Sequence, residues 1–162
     1  MVLDLRALGR ATRSFRSTWP LLLLAVGCRR GDGGGLWSQG RQYDLVLVVT
    51  KRSPLTPERQ AAIAPLVDSL TARMAVDSVR RDSVFGTYTT DFTHLGVMVG
   101  RAGSGPHVFA GSAASSTVNL ELSPDATDAG LHVTGQSTRS GAEGTWNVES
   151  GRTEGRFTLR AR

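Results

Sequence analysis

The chain has 162 residues, 19 basic and 14 acidic side chains, and a single cysteine. Residues 1–27 hold four of the bases and one of the acids, so the rest keeps 15 bases and 13 acids, a formal charge of only +2. This near balance excludes a nucleic-acid-binding protein with clustered cations, and the lone cysteine excludes a disulfide within the chain.

The N-terminal segment has the order of a secretory signal. Four arginines come first, an apolar run follows from Trp19 to Val26, and Gly27 and Cys28 end it. The run is about half as long as the roughly 20 residues that a helix needs to cross a bilayer. Residues 1–27 are therefore predicted to be a signal peptide, and no later segment of the sequence reads as a membrane-spanning helix.

The end of this segment, Ala25-Val26-Gly27-Cys28, resembles the lipobox of bacterial lipoproteins, with Ala25 at the place where leucine is commonest. The resemblance implies cleavage before Cys28 and acylation of its sulfur and new amino group. Two acyl chains give stable membrane anchoring, at about 0.8 kcal/mol per buried methylene. The resemblance also implies a place in the cell envelope, in the outer membrane where the host has one, because Arg29 is not the aspartate that retains lipoproteins in the inner membrane.

The next segment, residues 28–42, is rich in glycine and has neither a helical nor a strand period. Such composition behaves as a flexible tether. Residues 43–162 then form one predicted β-rich domain, a size that a single core can stabilise without disulfides.

The predicted elements begin with a strand over Tyr43–Thr50. Thr56, Pro57 and Glu58 then have the chemistry of a helix start. An apolar stripe follows at helical spacing, and Pro65 within it predicts a kink. The stripe consists of Ile63, Leu66, Val67, Leu70 and Met74, and we expect the helix to fray over 77–82.

From Val84 onward the apolar residues alternate with a period of two, which is typical of strands. Runs follow at 84–92, 95–99, 107–110, 118–122, 131–136, 145–149 and 156–160, with turn residues between them. The fold class predicted is α+β: a mainly antiparallel β-meander of six or seven strands, as a curved sheet or partly closed barrel, with one kinked helix packed on it.

The last strands have an apolar face and a polar face. Four residues of the polar face are the candidate ligand site, as parts of a polar groove or a barrel lumen: Glu121, His132, Asn147 and Arg156. A solvated sheet face is the alternative. The histidines His94, His107 and His132 have no metal-binding spacing, and no catalytic motif occurs. We therefore predict no metal, no cofactor and no assigned catalytic residue.

These observations favour a lipid-anchored envelope protein that binds a small ligand or a partner protein without catalysis. Its predicted partners are the membrane, through lipid on Cys28, and that ligand or envelope protein. Two alternatives stay open: an envelope-acting enzyme with acids and histidines in a cleft, and an assembly subunit that uses a free strand edge such as Phe157–Arg160. A catalytic cleft, an enclosed apolar cavity or an unpaired edge would separate the three.

Overall fold

The computed structural model describes residues 36–99, 105–112, 116–126, 130–148 and 153–162. The predicted signal peptide, Cys28 and most of the predicted tether lie outside these residues. The end of the tether segment is described: Leu36 and Trp37 are half-buried and pack against the core. The Tyr43 hydroxyl donates a hydrogen bond to the Leu36 carbonyl. Contact with the folded part therefore begins before Tyr43, the predicted first residue of the domain.

In the part of the chain that the structure describes, eight strands form the sheet. They are β1 Gln42–Lys51, β2 Ser69–Arg80, β3 Ser83–Thr89, β4 His107–Ser112, β5 Thr117–Leu122, β6 Leu131–Ser137, β7 Gly141–Val148 and β8 Glu154–Ala161. Helix α1, Pro57–Ile63, lies between β1 and β2, and a 3₁₀ helix, Phe92–Leu95, lies between β3 and β4. Within the described ranges, no helix has the length and apolar character needed to cross a membrane.

Each strand pairs antiparallel with the next one along the chain, and β1 also pairs with β8, so the sheet closes into a barrel. The predicted antiparallel meander with one α-helix is confirmed. The strand count is higher than the predicted six or seven, and closure is complete rather than partial. Because β8 pairs with both β1 and β7, the free edge predicted at Phe157–Arg160 is wrong.

The predicted kinked helix is a single short helix without the kink. Thr56 caps it as predicted, since its hydroxyl accepts a hydrogen bond from the Arg59 backbone nitrogen at 3.3 Å. The helix ends at Ile63 because Pro65 disfavours helical backbone at the residue before it, and Ala64 is extended with ψ of 147°. Ile63 is the one buried residue of α1.

The sequence pattern does not predict strand β2, because the apolar residues of this segment fit both a helical and a strand period. Leu70 and Met74 fit a helical stripe, but Ala72, Met74 and Val76 also alternate with polar residues, and these three are buried. Pairing with β1 on one side and β3 on the other satisfies the backbone of this segment. The strand period therefore prevails from Ser69 to Arg80.

The predicted strand at 95–99 is also wrong. The 3₁₀ helix Phe92–Leu95 ends at the first residue of this segment, and residues 97–99 are in neither helix nor strand. Asp91 begins that helix, because its carboxylate accepts a hydrogen bond from the Thr93 backbone nitrogen at 3.1 Å. Gly96 ends it in a left-handed conformation, with φ of +75°. Leu95, Val97 and Val99 still join the core cluster, so the apolar pattern identified burial correctly and secondary structure incorrectly.

The core fills the inside of the barrel. Inward-facing residues of all eight strands contribute to it, as the alternation in the sequence predicts for the last strands. The largest side chains with less than 2% of their surface exposed are Trp146, Tyr43, Tyr88, Phe109, Leu45, Leu47, Met74, Leu95, Leu122, Leu131 and Leu159. A Cβ at Gly155 would lie 2.6 Å from the Trp146 indole nitrogen, so a strand glycine makes room for the largest of these rings.

The two ends of the barrel differ in their connections. At the hairpin end, connections of two to four residues join β2 to β3, β4 to β5 and β6 to β7, and β1 begins there. At the loop end, the longer connections contain α1 and the 3₁₀ helix. Arg52 links these two connections: it donates hydrogen bonds to the Leu95 carbonyl at 2.5 Å and the Val67 carbonyl at 2.8 Å.

Candidate functional site

Three of the four predicted ligand-binding residues lie side by side on the outer face of the barrel. The strand register places Glu121 opposite His132, and His132 opposite Asn147. Residues directly opposite each other in antiparallel strands have their Cβ atoms about 4.5–5.5 Å apart. The three side chains therefore form a continuous polar row across β5, β6 and β7.

The fourth residue, Arg156, belongs to the next row. It pairs with Thr145 on β7, and Glu154 is the residue that faces Asn147. Arg156 thus lies two strands and one row from His132, a separation of about 12 Å at the usual strand spacing and rise. The structure brings Glu121, His132 and Asn147 together and leaves Arg156 outside that group.

A groove runs over the outer face of β3, β4, β5 and β6, and we call it the outer groove. Its volume is about 510 Å³. Glu121 and His132 line it, whereas Asn147 and Arg156 are not among its lining residues. The other outward-facing residues that line it are Ser83, Phe85, Ala110, Ser112, Asn119 and Thr134.

Phe85 is the main lining residue that the sequence prediction missed. Its side chain is 42% exposed, and the register places it opposite Ala110, which in turn faces Glu121. Val108 lies on the adjacent row of β4, opposite Thr87, and is 45% exposed. A signal was present in the sequence, because Phe85 is an apolar residue at an outward position between inward-facing Val84 and Gly86.

The groove therefore has an apolar side and a polar side. The Phe85 ring lies at the β3–β4 side, and the Glu121 carboxylate and His132 imidazole lie at the β5–β6 side. Hydroxyl and amide groups occupy the row between Ser83 and Thr134. Such a surface offers a ring contact, hydrogen-bond acceptors and hydrogen-bond donors to one bound molecule.

The inside of the barrel is built differently. The Trp146 indole nitrogen donates to the Val48 carbonyl at 3.2 Å, and Tyr88 and Ser123 share a hydrogen bond of 2.7 Å between their hydroxyls. Burial raises the pKa of Tyr88 to about 12, although the hydrogen bond with Ser123 acts in the opposite direction. Burial also raises the pKa of Tyr43, against the influence of the nearby Arg41 guanidinium. Both phenols are therefore neutral structural groups at ordinary pH.

A closely paired acid and histidine lie away from the groove. The His94 imidazole is 3.4 Å from the Asp91 carboxylate at the 3₁₀ helix. Hydrogen bonds from Thr93 lower the pKa of Asp91, and the charge of His94 adds to this effect. Asp91 caps the helix through the same carboxylate, so the pair has a structural explanation.

Among the described residues, no three His, Cys, Asp or Glu side chains gather closely enough to hold a metal ion. Comparisons with protein-family models, with curated proteins and with solved structures found no match to this chain. Similarity to known proteins therefore assigns no function to this chain.

Proposed function

We propose that this chain is a lipid-anchored envelope protein whose barrel binds a small ligand on its outer surface, without catalysis. The single observation that carries the binding proposal is the contrast between a barrel interior packed with side chains and an outer groove that presents the Phe85 ring beside polar groups. The anchor is proposed on the lipobox-like sequence that ends at Cys28.

The size and chemistry of the groove support a small ligand. Its volume of about 510 Å³ falls within the roughly 300–1,000 Å³ range of small-molecule sites. A ligand with one apolar face and a rim of hydroxyl groups matches this lining, since the face would lie on Phe85 and the rim would reach Asn119, Glu121 and His132. A sugar ring has this chemistry, and bacterial envelopes contain sugars such as N-acetylglucosamine.

Titration with N-acetylglucosamine tests the site directly. We expect NMR amide signals of β3 to β6 to shift in a saturable way, and Phe85→Ser to abolish the shifts. Val48→Ser is the matched control, because Val48 is 41% exposed on β1, outside the groove lining. Shifts that persist in Phe85→Ser, or that disappear equally in Val48→Ser, would show that the outer groove is not the site.

The anchor is tested separately, by feeding cells an alkyne-tagged fatty acid. We expect label on the wild-type protein and none on Cys28→Ser. Equal label on both proteins would rule out lipidation at Cys28.

One observation favours a second candidate, an envelope-acting enzyme. Glu121 and His132 face each other in the outer groove, and an acid beside a histidine can serve acid–base chemistry. An enzyme would release soluble products from isolated envelope material, and His132→Asn would stop the release while the fold remained intact. A binding protein would release nothing in either form.

A further inference from the structure

Charge is distributed unevenly between the two ends of the barrel. Among the described residues, the hairpin end carries seven arginines and four acids: Arg41, Arg73, Arg80, Arg81, Arg139, Arg160 and Arg162, with Asp44, Asp77, Asp82 and Glu143. The loop end carries four bases and six acids: Lys51, Arg52, Arg59 and Arg156, with Glu58, Asp68, Asp91, Glu121, Asp125 and Glu154. The hairpin end is therefore positive and the loop end negative, although the charges of the whole domain nearly cancel.

The densest part of the positive end surrounds Asp44. The strand register places Asp44 between Arg73 on β2 and Arg160 on β8. The Arg162 guanidinium nitrogen Nε lies 3.5 Å from the same carboxylate. One carboxylate can compensate only one of these three charges, and all three arginines are exposed. A surplus of positive charge thus faces solvent at this end.

The chain also enters the barrel at this end. The Trp37 ring lies 5.2 Å from the Tyr43 ring near the start of β1, and the Arg41 guanidinium lies 5.8 Å from the same ring. Eight residue steps separate Leu36 from Cys28, and a chain of that length spans at most about 29 Å. A lipid on Cys28 would therefore keep the hairpin end, where the chain enters the barrel, within about 29 Å of the bilayer.

We propose that the hairpin end binds the anionic headgroups of the membrane that carries the anchor, so that the barrel stands on the bilayer with its loop end outward. This inference rests on the proposed lipid anchor. Each arginine near an anionic surface strengthens binding about fivefold, and the attraction acts over about one Debye length. The negative loop end is repelled by the same surface, which fixes the direction of the barrel axis.

The experiment uses the mature lipidated protein, which begins at Cys28, purified in detergent and reconstituted in vesicles. The vesicles contain phosphatidylcholine alone or phosphatidylcholine mixed with phosphatidylglycerol, and amide hydrogen exchange is measured by mass spectrometry. With phosphatidylglycerol, we expect exchange in the β6–β7 turn at 138–140 to slow about fivefold, with α1 unchanged. High salt should remove the effect.

Two double variants with the same change of charge separate a specific contact from general attraction. Arg139→Gln with Arg162→Gln should weaken the slowing, whereas Lys51→Gln with Arg59→Gln at the loop end should leave it unchanged. Equal slowing on both kinds of vesicle, slowing at α1, or identical behaviour of the two variants would overturn the proposal.

The mass of the Cys28 peptide shows independently whether the lipid is present. A peptide without lipid would overturn the proposed anchor as well as the orientation. A lipidated peptide with unchanged exchange would overturn only the orientation.

Discussion

The inner and outer faces of β5 and β6 differ in chemistry although the same two strands form both. Leu120 and Val133 point inward and are 3% and 0% exposed. Their chain neighbours Glu121 and His132 point outward into the groove. Because side chains alternate along a strand, one short sequence can specify a packed interior and a polar surface at once. The inner face is expected to determine stability and the outer face recognition.

The largest effect is expected from Trp146 on the inner face. The Trp146→Ala substitution should lower the free energy of unfolding by about 3–5 kcal/mol, because it empties a fully buried site. It also removes the hydrogen bond to Val48 and uncovers Gly155. Urea unfolding with an unchanged slope measures the loss. Trp37→Ala, at a half-buried ring, should cost less; equal losses would contradict the distinction between interior and surface.

This inner face is the part of the fold that the sequence predicts best. Alternation over Val118–Leu122 and the later strands identifies the buried residues correctly, since one period fits each of those runs. The pattern fails at β2, where Leu70 and Met74 fit two periods. Closure is also invisible locally, because the pairing of β1 with β8 joins residues more than 100 positions apart.

The outer face is predicted only in part. Alternation correctly places Glu121, His132 and Asn147 on the polar side, but their alignment depends on strand register, which the connections and the long-range pairing determine. Arg156 has the right face and the wrong row for this reason. Phe85 was missed although the alternation places it outward between Val84 and Gly86, because a single exposed aromatic residue does not by itself indicate a binding surface.

The second effect is a pH-dependent loss of stability that arises from the buried Tyr88 hydroxyl. Tyr88 is 1% exposed, and its pKa is raised to about 12 from an ordinary value of 10.0. The unfolded chain therefore loses this proton at lower pH than the folded barrel, so stability is complete below pH 10 and falls as pH rises toward 12. The expected loss from Tyr88 is about 2–3 kcal/mol.

Unfolding measured from pH 9 to 12 checks this expectation, with phenolate absorbance recorded in parallel. The chain has only two tyrosines, so Tyr88→Phe isolates the contribution of the other. As pH rises from 10 toward 12, the free energy of unfolding of Tyr88→Phe should fall by about 2–3 kcal/mol less than that of the wild type. Phenolate absorbance from Tyr88 near pH 10 in the folded protein would contradict the structural assignment.

The third effect is a loss of stability at the loop end, where Arg52 links two connections of the barrel. Arg52→Ala removes hydrogen bonds to two backbone carbonyls and the ion pair with Asp68, whose carboxylate lies 3.1 Å away. Because Asp68 is largely exposed, the carbonyl contacts dominate, and we expect a loss of about 1–2 kcal/mol. Arg59→Ala, at an exposed site on α1, is the control; if it costs as much, Arg52 does not link the two connections.

The smallest effect on stability is expected on the outer face, where the effect on binding should be largest. Glu121→Gln should change the free energy of unfolding by less than about 0.5 kcal/mol, yet weaken N-acetylglucosamine binding about tenfold, because a hydrogen bond to a charged group is lost. Combining it with Trp146→Ala should give additive stability changes, since the two residues share no partner. Coupling well above about 0.5 kcal/mol would mean that the outer groove depends on the packing beneath it, and the two faces could then no longer be treated as independent.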